Sequence, residues 1–283
     1  MKFDVIVGNP PYQNMNQNAS SGKLWPRFII MSLDLIRKNG YIALITPNSW
    51  TKGQVAPKGS GRILKRFQEM NTITVNNNEC SEYFPGIGVR FSWFVVQNCS
   101  PQGKTTLIQN GRKTDIDLID IFSIPVKIDF LSITQKVFRS SNDFIESTLI
   151  TNTRNHLMKF ISNGDGGEVT TVVSNGKFLK THHSIFDMKN KIIVPWAADL
   201  KLTVRGEYVA GDSCLIFEMK ESIWSIIQSK LFRFCCVAVK TSFHNEGARY
   251  FPKIDMNRIW TDHELYEHFN LTAEEIMVVE NTV

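Results

Sequence analysis

Apolar residues in this chain fall into short runs separated by polar turns. The first run, FDVIV from Phe3 to Val7, ends at Gly8 and reads as a buried strand. A strand this apolar fits a parallel sheet covered on both faces. Pro10 and Pro11 then stop the strand and fix the backbone of the loop that follows. From Leu24 to Lys38 the apolar positions are Leu24, Phe28, Met31, Leu35 and Ile36, with Phe28 and Met31 spaced for one helical face. Lys38-Asn39-Gly40 reads as a helix stop. Tyr41 to Thr46 (YIALIT) is a second buried strand, closed by Pro47-Asn48-Ser49-Trp50. Strand, helix and strand in this order make a βαβ unit with a right-handed crossover.

Further on, Gly53 to Gly61 is a polar loop, Arg62 to Met70 a short basic helix and Ile73 to Val75 a short strand. Val89 to Val96 (VRFSWFVV) alternates and then turns continuously apolar, as a strand. Asn98 to Lys104 is a polar Pro/Gly stretch, and the expected boundary lies there, between residues 1–103 and 104–283. Beyond it, Ile128–Phe138 and Phe144–Leu149 read as short mixed elements. Val169–Val173, Phe178–Lys180 and Lys191–Pro195 read as strands, and Glu221–Leu231 as a helix. Thr261-Asp262-His263-Glu264 and Thr272-Ala273-Glu274-Glu275 are capping-box starts of two closing helices. The fold class expected is α/β for the first part and mixed α+β for the second.

Composition changes this picture little. The chain has 283 residues, 42% hydrophobic and 21% charged, as an ordinary soluble globular protein of one or two domains does. No apolar run has the length of a membrane span, and the start lacks a signal-peptide pattern. Five cysteines in no metal-binding spacing fit a reduced, cytoplasmic setting. Cys235-Cys236 lies in an apolar segment and reads as core packing, and His182-His183 as a surface pair with no metal site. Charge is more informative in its distribution. Residues 1–100 hold 11 Lys and Arg against 5 Asp and Glu, while residues 101–283 hold 21 against 22. The excess falls on the first part, where a polyanion would approach, although chance imbalance on a solvated face accounts for it as well.

The candidate chemistry lies in Asn9-Pro10-Pro11-Tyr12, which would sit at the carboxyl end of the first strand, where open α/β sheets bind ligands. An exocyclic amine on a planar ring is a poor nucleophile, because its lone pair is delocalised. Methylating it requires acceptors that draw the nitrogen toward tetrahedral geometry. The Asn9 side-chain carbonyl and the Pro10 backbone carbonyl could accept the two amine hydrogens, and the Tyr12 ring could stack on the substrate. That is catalysis by positioning and electrostatics, with no shifted pKa needed. An ordinary Asn-Pro turn after a strand is the plainer alternative.

The pattern NPPYQ, a helix, then GYIALITPNSW closely resembles the adenine-N6 DNA methyltransferases of restriction–modification systems, above all those fused to or allied with type II and type IIG restriction enzymes. The resemblance implies a partial Rossmann-like methyltransferase sheet followed by a target-recognition domain. It also implies methyl transfer from S-adenosylmethionine to an adenine flipped out of double-stranded DNA. Asn9, Pro10, Pro11 and Tyr12 would be catalytic. In that family the later strand supplies a second aromatic wall against the base, so Phe91, Trp93 and Phe94 are stacking candidates beside Tyr12; plain strand packing explains each as readily. Gly211–Phe243 and the tail Phe251–Glu280 resemble the family's recognition region. There Arg233, Lys240, Thr241, Ser242 and His244, taken to cluster where a strand meets a loop, are candidate DNA contacts. The motif also occurs in enzymes that methylate protein glutamine or ribosomal RNA; the long carboxyl-terminal region favours DNA.

One family feature is not found. The glycine-rich cofactor loop precedes the motif in these enzymes, and here Gly164-Asp165-Gly166-Gly167 and Gly86-Ile87-Gly88 both read as turns. Phe3 to Val7 would then be a bare apolar edge. The expectation is a second polypeptide that supplies the cofactor-binding strands. A truncated remnant or a non-catalytic, sequence-reading subunit are the alternatives.

Overall fold

The computed structural model describes residues 2–13, 23–55, 61–77, 80, 83–84, 89–150, 169–172, 178–181, 190–197, 199–206, 209–210, 214–240 and 244–283. It forms two compact units, Met1–Leu131 and Ser132–Val283.

In the first unit β1 (Phe3–Gly8), α1 (Trp25–Leu35) and β2 (Ile36–Pro47) are followed by a 3₁₀ stretch, Asn48–Val55. Next come α2 (Gly61–Gln68), β3 (Asn71–Asn77), β4 (Phe91–Gln97), β5 (Thr105–Gln109) and β6 (Arg112–Ile116). Six strands make one sheet in the order β1-β2-β4-β3-β5-β6. β1 pairs parallel with β2, and β3 with β5, while β4 runs antiparallel to both of its neighbours. The sheet is therefore mixed, where the apolar runs alone suggested a parallel one.

One face of this sheet is covered. α1 contributes Trp25, Ile29 and Leu33 to the core, and α2 contributes Ile63, Leu64 and Phe67. They pack with Ile42, Leu44, Val75, Phe94, Val96 and Leu107 from the strands. The buried stripe of α1 is thus Trp25, Ile29 and Leu33, one step round from the expected Phe28 and Met31; Met31 faces outward. The alternate strand positions face the other way. Val5, Val7 and Tyr41 are exposed there, and Ala43, Ile45, Trp93 and Val95 are half-buried. No helix among the unit's described residues covers that face. β1 itself is an edge strand, so burial on both faces, expected from its composition, is not what the structure shows.

The α1–β2 junction is tighter than the sequence implied. Ile36 is already extended, so the helix stops at Leu35. Lys38-Asn39-Gly40 forms a bulge inside β2, with Asn39 at φ 63°. At Gly40 a Cβ would stand 2.7 Å from the Asp4 carbonyl oxygen of β1, so only glycine lets the two strands close there.

The first unit also runs past the expected boundary at residues 103–104, ending at Leu131. Asn98–Lys104 is only the turn from β4 to β5. β5 and β6 form a hairpin across Asn110-Gly111, both at positive φ, and Leu107 and Ile116 complete the core. Asn-Gly between two strands is the two-residue hairpin signal.

The second unit holds α3 (Leu131–Phe138), β7 (Ser147–Ile150), β8 (Val169–Val172), β9 (Phe178–Thr181) and β10 (Lys191–Pro195). β11 (Val204–Gly206), β12 (Val209–Ala210) and β13 (Cys214–Glu218) follow. The helices α4 (Glu221–Gln228), α5 (Lys230–Ala238), α6 (Asp262–His268) and α7 (Ala273–Glu280) end the chain. Four strands form an antiparallel sheet, β11-β10-β13-β7, and three form a small second sheet, β12-β8-β9. Both expected capping boxes are present: Thr261 with Glu264, and Thr272 with Glu275. Cys235 and Cys236 are buried in α5. His182-His183 and both glycine segments lie outside the described residues. Among the described residues no helix is long and apolar enough to cross a membrane.

Candidate active site

The loop after β1 is tied at both ends. Gly8 closes the parallel ladder with β2, opposite Leu44. Beyond Tyr12, Gln13 bridges to Lys23, and the Leu24 amide donates to the Tyr12 carbonyl at 3.0 Å. The loop therefore joins the carboxyl end of β1 to the start of α1, whose first turn carries Pro26, a residue suited to that position. Asn9 and Pro11 are exposed, and Pro10 and Tyr12 half-buried.

Tyr12 sits in an aromatic cluster. Its ring centroid lies 5.0 Å from Phe91 and 6.3 Å from Phe84, and Phe84 stacks on Phe91 at 4.3 Å. Phe91 begins β4 opposite Pro47, the last residue of β2, so strand pairing holds this wall beside the loop. The Tyr12 hydroxyl donates to the Asn9 side-chain carbonyl. Burial pushes the phenol's pKa up, and the Asn9 bond only partly offsets this, so Tyr12 remains a neutral phenol at physiological pH. It is suited to stacking and hydrogen bonding, and not to acting as a base.

This arrangement is closed. A planar ring held between two aromatic rings needs them roughly 7 Å apart, twice the contact distance of about 3.5 Å. Tyr12 and Phe91 are closer than that, and the Tyr12 hydroxyl takes one of the two lone pairs of the Asn9 carbonyl. A planar ring therefore does not fit between Tyr12 and Phe91 as they stand.

Of the three stacking candidates read from the strand, Phe91 stands against Tyr12 and is itself fully buried, so it backs the Tyr12 ring and is not open to solvent. Phe94 points to the opposite face and is fully buried between Trp50 and Phe67, at 5.5 and 4.6 Å. It belongs to the core and cannot stack on a substrate at Tyr12. Trp93 is half-buried and makes no ring contact with Tyr12 among the described residues. Phe84 was not singled out in the sequence; its signal was an aromatic in the turn leading into an aromatic strand.

The candidate DNA contacts divide. Arg233 lies on helix α5, not where a strand meets a loop. Its segment, SKLFRFCCVAVK, reads as a strand because it is rich in aromatic and β-branched residues. The helix is instead buried on almost every side, and only Lys230, Arg233 and Val237 along it are half-buried. Arg233 donates to Gln228 at 3.1 Å. Lys240 and His244 do come together at the end of β10. Lys240 donates to Asn245 at 3.3 Å, Asn245 donates to the Pro195 carbonyl at 2.9 Å, and His244 stacks on Trp196 at 5.5 Å. Thr241 and Ser242 lie outside the described residues.

Comparison with known proteins bears on the first unit. Residues 1–80 match the model of the Eco57I restriction-modification methylase family. A protein of Mycoplasma pneumoniae described as an uncharacterized adenine-specific methylase is 32% identical over 130 residues, or 41% of this chain and 29% of that protein. The chain thus spans less than a third of that curated relative's length. Among solved structures, the type IIL restriction-modification enzyme MmeI in complex with DNA is 12% identical, covering 89% of this chain and 45% of that one, with a TM-score of 0.46. The type IIG restriction endonuclease BpuSI is 9% identical, covering 95% and 49%, with a TM-score of 0.38. At these scores neither fixes the fold or the activity of this chain. The similarity of the first 80 residues is to adenine methylases of restriction–modification systems, and it is distant.

Proposed function

We propose that this chain carries the amine-binding and target-reading parts of an S-adenosylmethionine-dependent, adenine-N6-specific DNA methyltransferase of restriction–modification type. The observation that carries the reading is the loop Asn9–Tyr12, held at the carboxyl end of β1 against Phe84 and Phe91. The match of residues 1–80 to the methylase family supports it. S-adenosylmethionine would supply the methyl group. Among the described residues no glycine-rich loop joins a strand to a helix, and none of them is assigned to the cofactor. What its own residues do is bind and orient the amine. The carbonyls of Asn9 and Pro10 accept the amine hydrogens, and Tyr12, released from Asn9, stacks on the adenine with Phe91 and Phe84 behind it.

The cofactor-binding strands would dock on β1. Among the described residues no strand pairs with that edge, and its Val5 and Val7 are 56% and 73% exposed. An apolar edge of this kind is an aggregation hazard unless another strand pairs with it. Those strands would belong to a further segment of a longer chain or to a second polypeptide. The second unit would read the DNA sequence, with Arg233, Lys240 and His244 as its candidate contacts.

The test is transfer of labelled methyl from S-adenosylmethionine to DNA, using the chain purified gently from its native cells. Asn9→Ala should lower transfer by about 10²–10³-fold, the usual cost of removing one positioned polar group, with DNA binding kept. An unchanged rate in that variant would sink the catalytic assignment and leave a non-catalytic DNA-reading subunit.

A further inference from the structure

α1 and α2 run side by side in the same direction. Each returns from the end of one strand to the start of another, β1 to β2 and β2 to β3, and those three strands point the same way. Both helices bury their inner faces in one core. Their outer faces leave a groove of about 860 Å³ between them.

The two walls carry the same charge order. On α1 the stripe is Arg27, Ile30, Met31 and Asp34; on α2 it is Arg62, Lys65 and Arg66, continued by Glu69 in the turn just past its end. Both stripes fall at the i, i+3, i+4, i+7 spacing of one helical face. Cations therefore lie toward the amino ends and carboxylates at the carboxyl ends. None of these charged side chains makes an ion pair or a side-chain hydrogen bond with any described residue. The floor between them is apolar, and Met31 is 47% exposed. Arginine beside a helix amino terminus and aspartate beside a carboxyl terminus, as on α1, both oppose the helix dipole. The charges on α1 therefore do not serve the helix that carries them.

We propose that this groove docks an amphipathic helix of a partner polypeptide, lying antiparallel to α1 and α2. Its buried stripe would be apolar, and Asp or Glu in its carboxyl-terminal half would face Arg27, Arg62, Lys65 and Arg66. A Lys or Arg near its amino end would meet Asp34 and Glu69. A helix about 10 Å across fits between two neighbouring helices. The antiparallel sense sets its negative end against two positive ends. Duplex DNA suits the groove less well. It is too broad to reach an apolar floor between adjacent helices, and two carboxylates in the walls would repel phosphates.

The test replaces Met31 with the photo-cross-linker p-benzoylphenylalanine in the full chain, in its native cells, and sequences the cross-linked peptide. The expected product is a segment with apolar residues at three- and four-residue spacing flanked by Asp and Glu. Arg62→Glu with Arg66→Glu should cut the yield roughly tenfold or more, since two attractions become repulsions. Changing the two facing acidic residues of the captured segment to Lys should restore it. Lys65→Glu alone, at an exposed position, gives a milder loss and guards against misfolding of the double variant. No cross-link, a cross-linked segment without acidic flanks, a cross-link to DNA, or a yield indifferent to charge reversal would each overturn the proposal. Labelled-methyl transfer in the same preparations reports separately on the catalytic reading.

Discussion

β1 and β10 are built from the same kind of sequence and meet opposite fates. FDVIVG and KIIVP are both short, β-branched and apolar. In β10, Ile192, Ile193 and Val194 are fully buried, because β11 and β13 flank the strand. In β1 every residue but Ile6 is exposed, because among the described residues β2 is its only strand partner and no helix covers its outward face. A run of apolar letters states a need for cover. It does not say whether the cover lies in the same unit.

The largest effect that would sharpen this contrast is in β10. Ile193→Ala should cost about 2–5 kcal/mol, the price of a cavity at a fully buried position, read as a drop in the urea midpoint of the second unit. Next is the seam that holds β1. Gly40→Ala should cost about 1–3 kcal/mol through overpacking against Asp4 and Ile36, and should loosen β1 before the rest of the sheet. Native-state hydrogen exchange separates the two.

A smaller effect comes from acid. Burial raises the Glu275 carboxyl, but hydrogen bonds from Lys136, from the Thr272 backbone and from Ser132 outweigh it and hold it below the usual carboxylate range. The Lys136–Glu275 contact is 2.6 Å. A depressed folded-state pKa stabilises above the unfolded value, about 4.3, and that stability is lost as the pH falls through the folded value. The second unit's thermal midpoint should therefore drop below about pH 4, and Lys136→Met should flatten that dependence. The smallest effect belongs to β1: Val7→Ala should change the stability of the lone chain by no more than about 0.5 kcal/mol. A loss there as large as at Ile193 would break the comparison.

Much of the fold was legible where local chemistry decides it. Thr261 and Thr272 announced their helices, because a capping box needs only two residues three apart. β2 and β4 announced themselves by length and composition. α5 did not, because a helix buried nearly all round shows no polar face to set its period. The hairpin at Asn110-Gly111 was legible and was missed. At the site, the loop Asn9–Tyr12 could be read from its own letters. Phe84 carried only a faint signal, an aromatic a few residues before an aromatic strand, and its stacking on Phe91 is a tertiary contact that no local pattern encodes. That Phe94 packs in the core and Phe91 against Tyr12 follows from strand alternation, once Trp50 and Phe67 are known to lie on one side.

The central claim is that β1 is an edge awaiting a strand of the cofactor-binding part, and hydrogen exchange tests it directly. The amides of Phe3–Gly8 that face away from β2 would be followed in the purified lone chain and in the native preparation active in methyl transfer. The account predicts fast exchange in the lone chain and strong protection in the active assembly. A stable, monodisperse lone chain with those amides already protected, or an active assembly in which they still exchange fast, would contradict it.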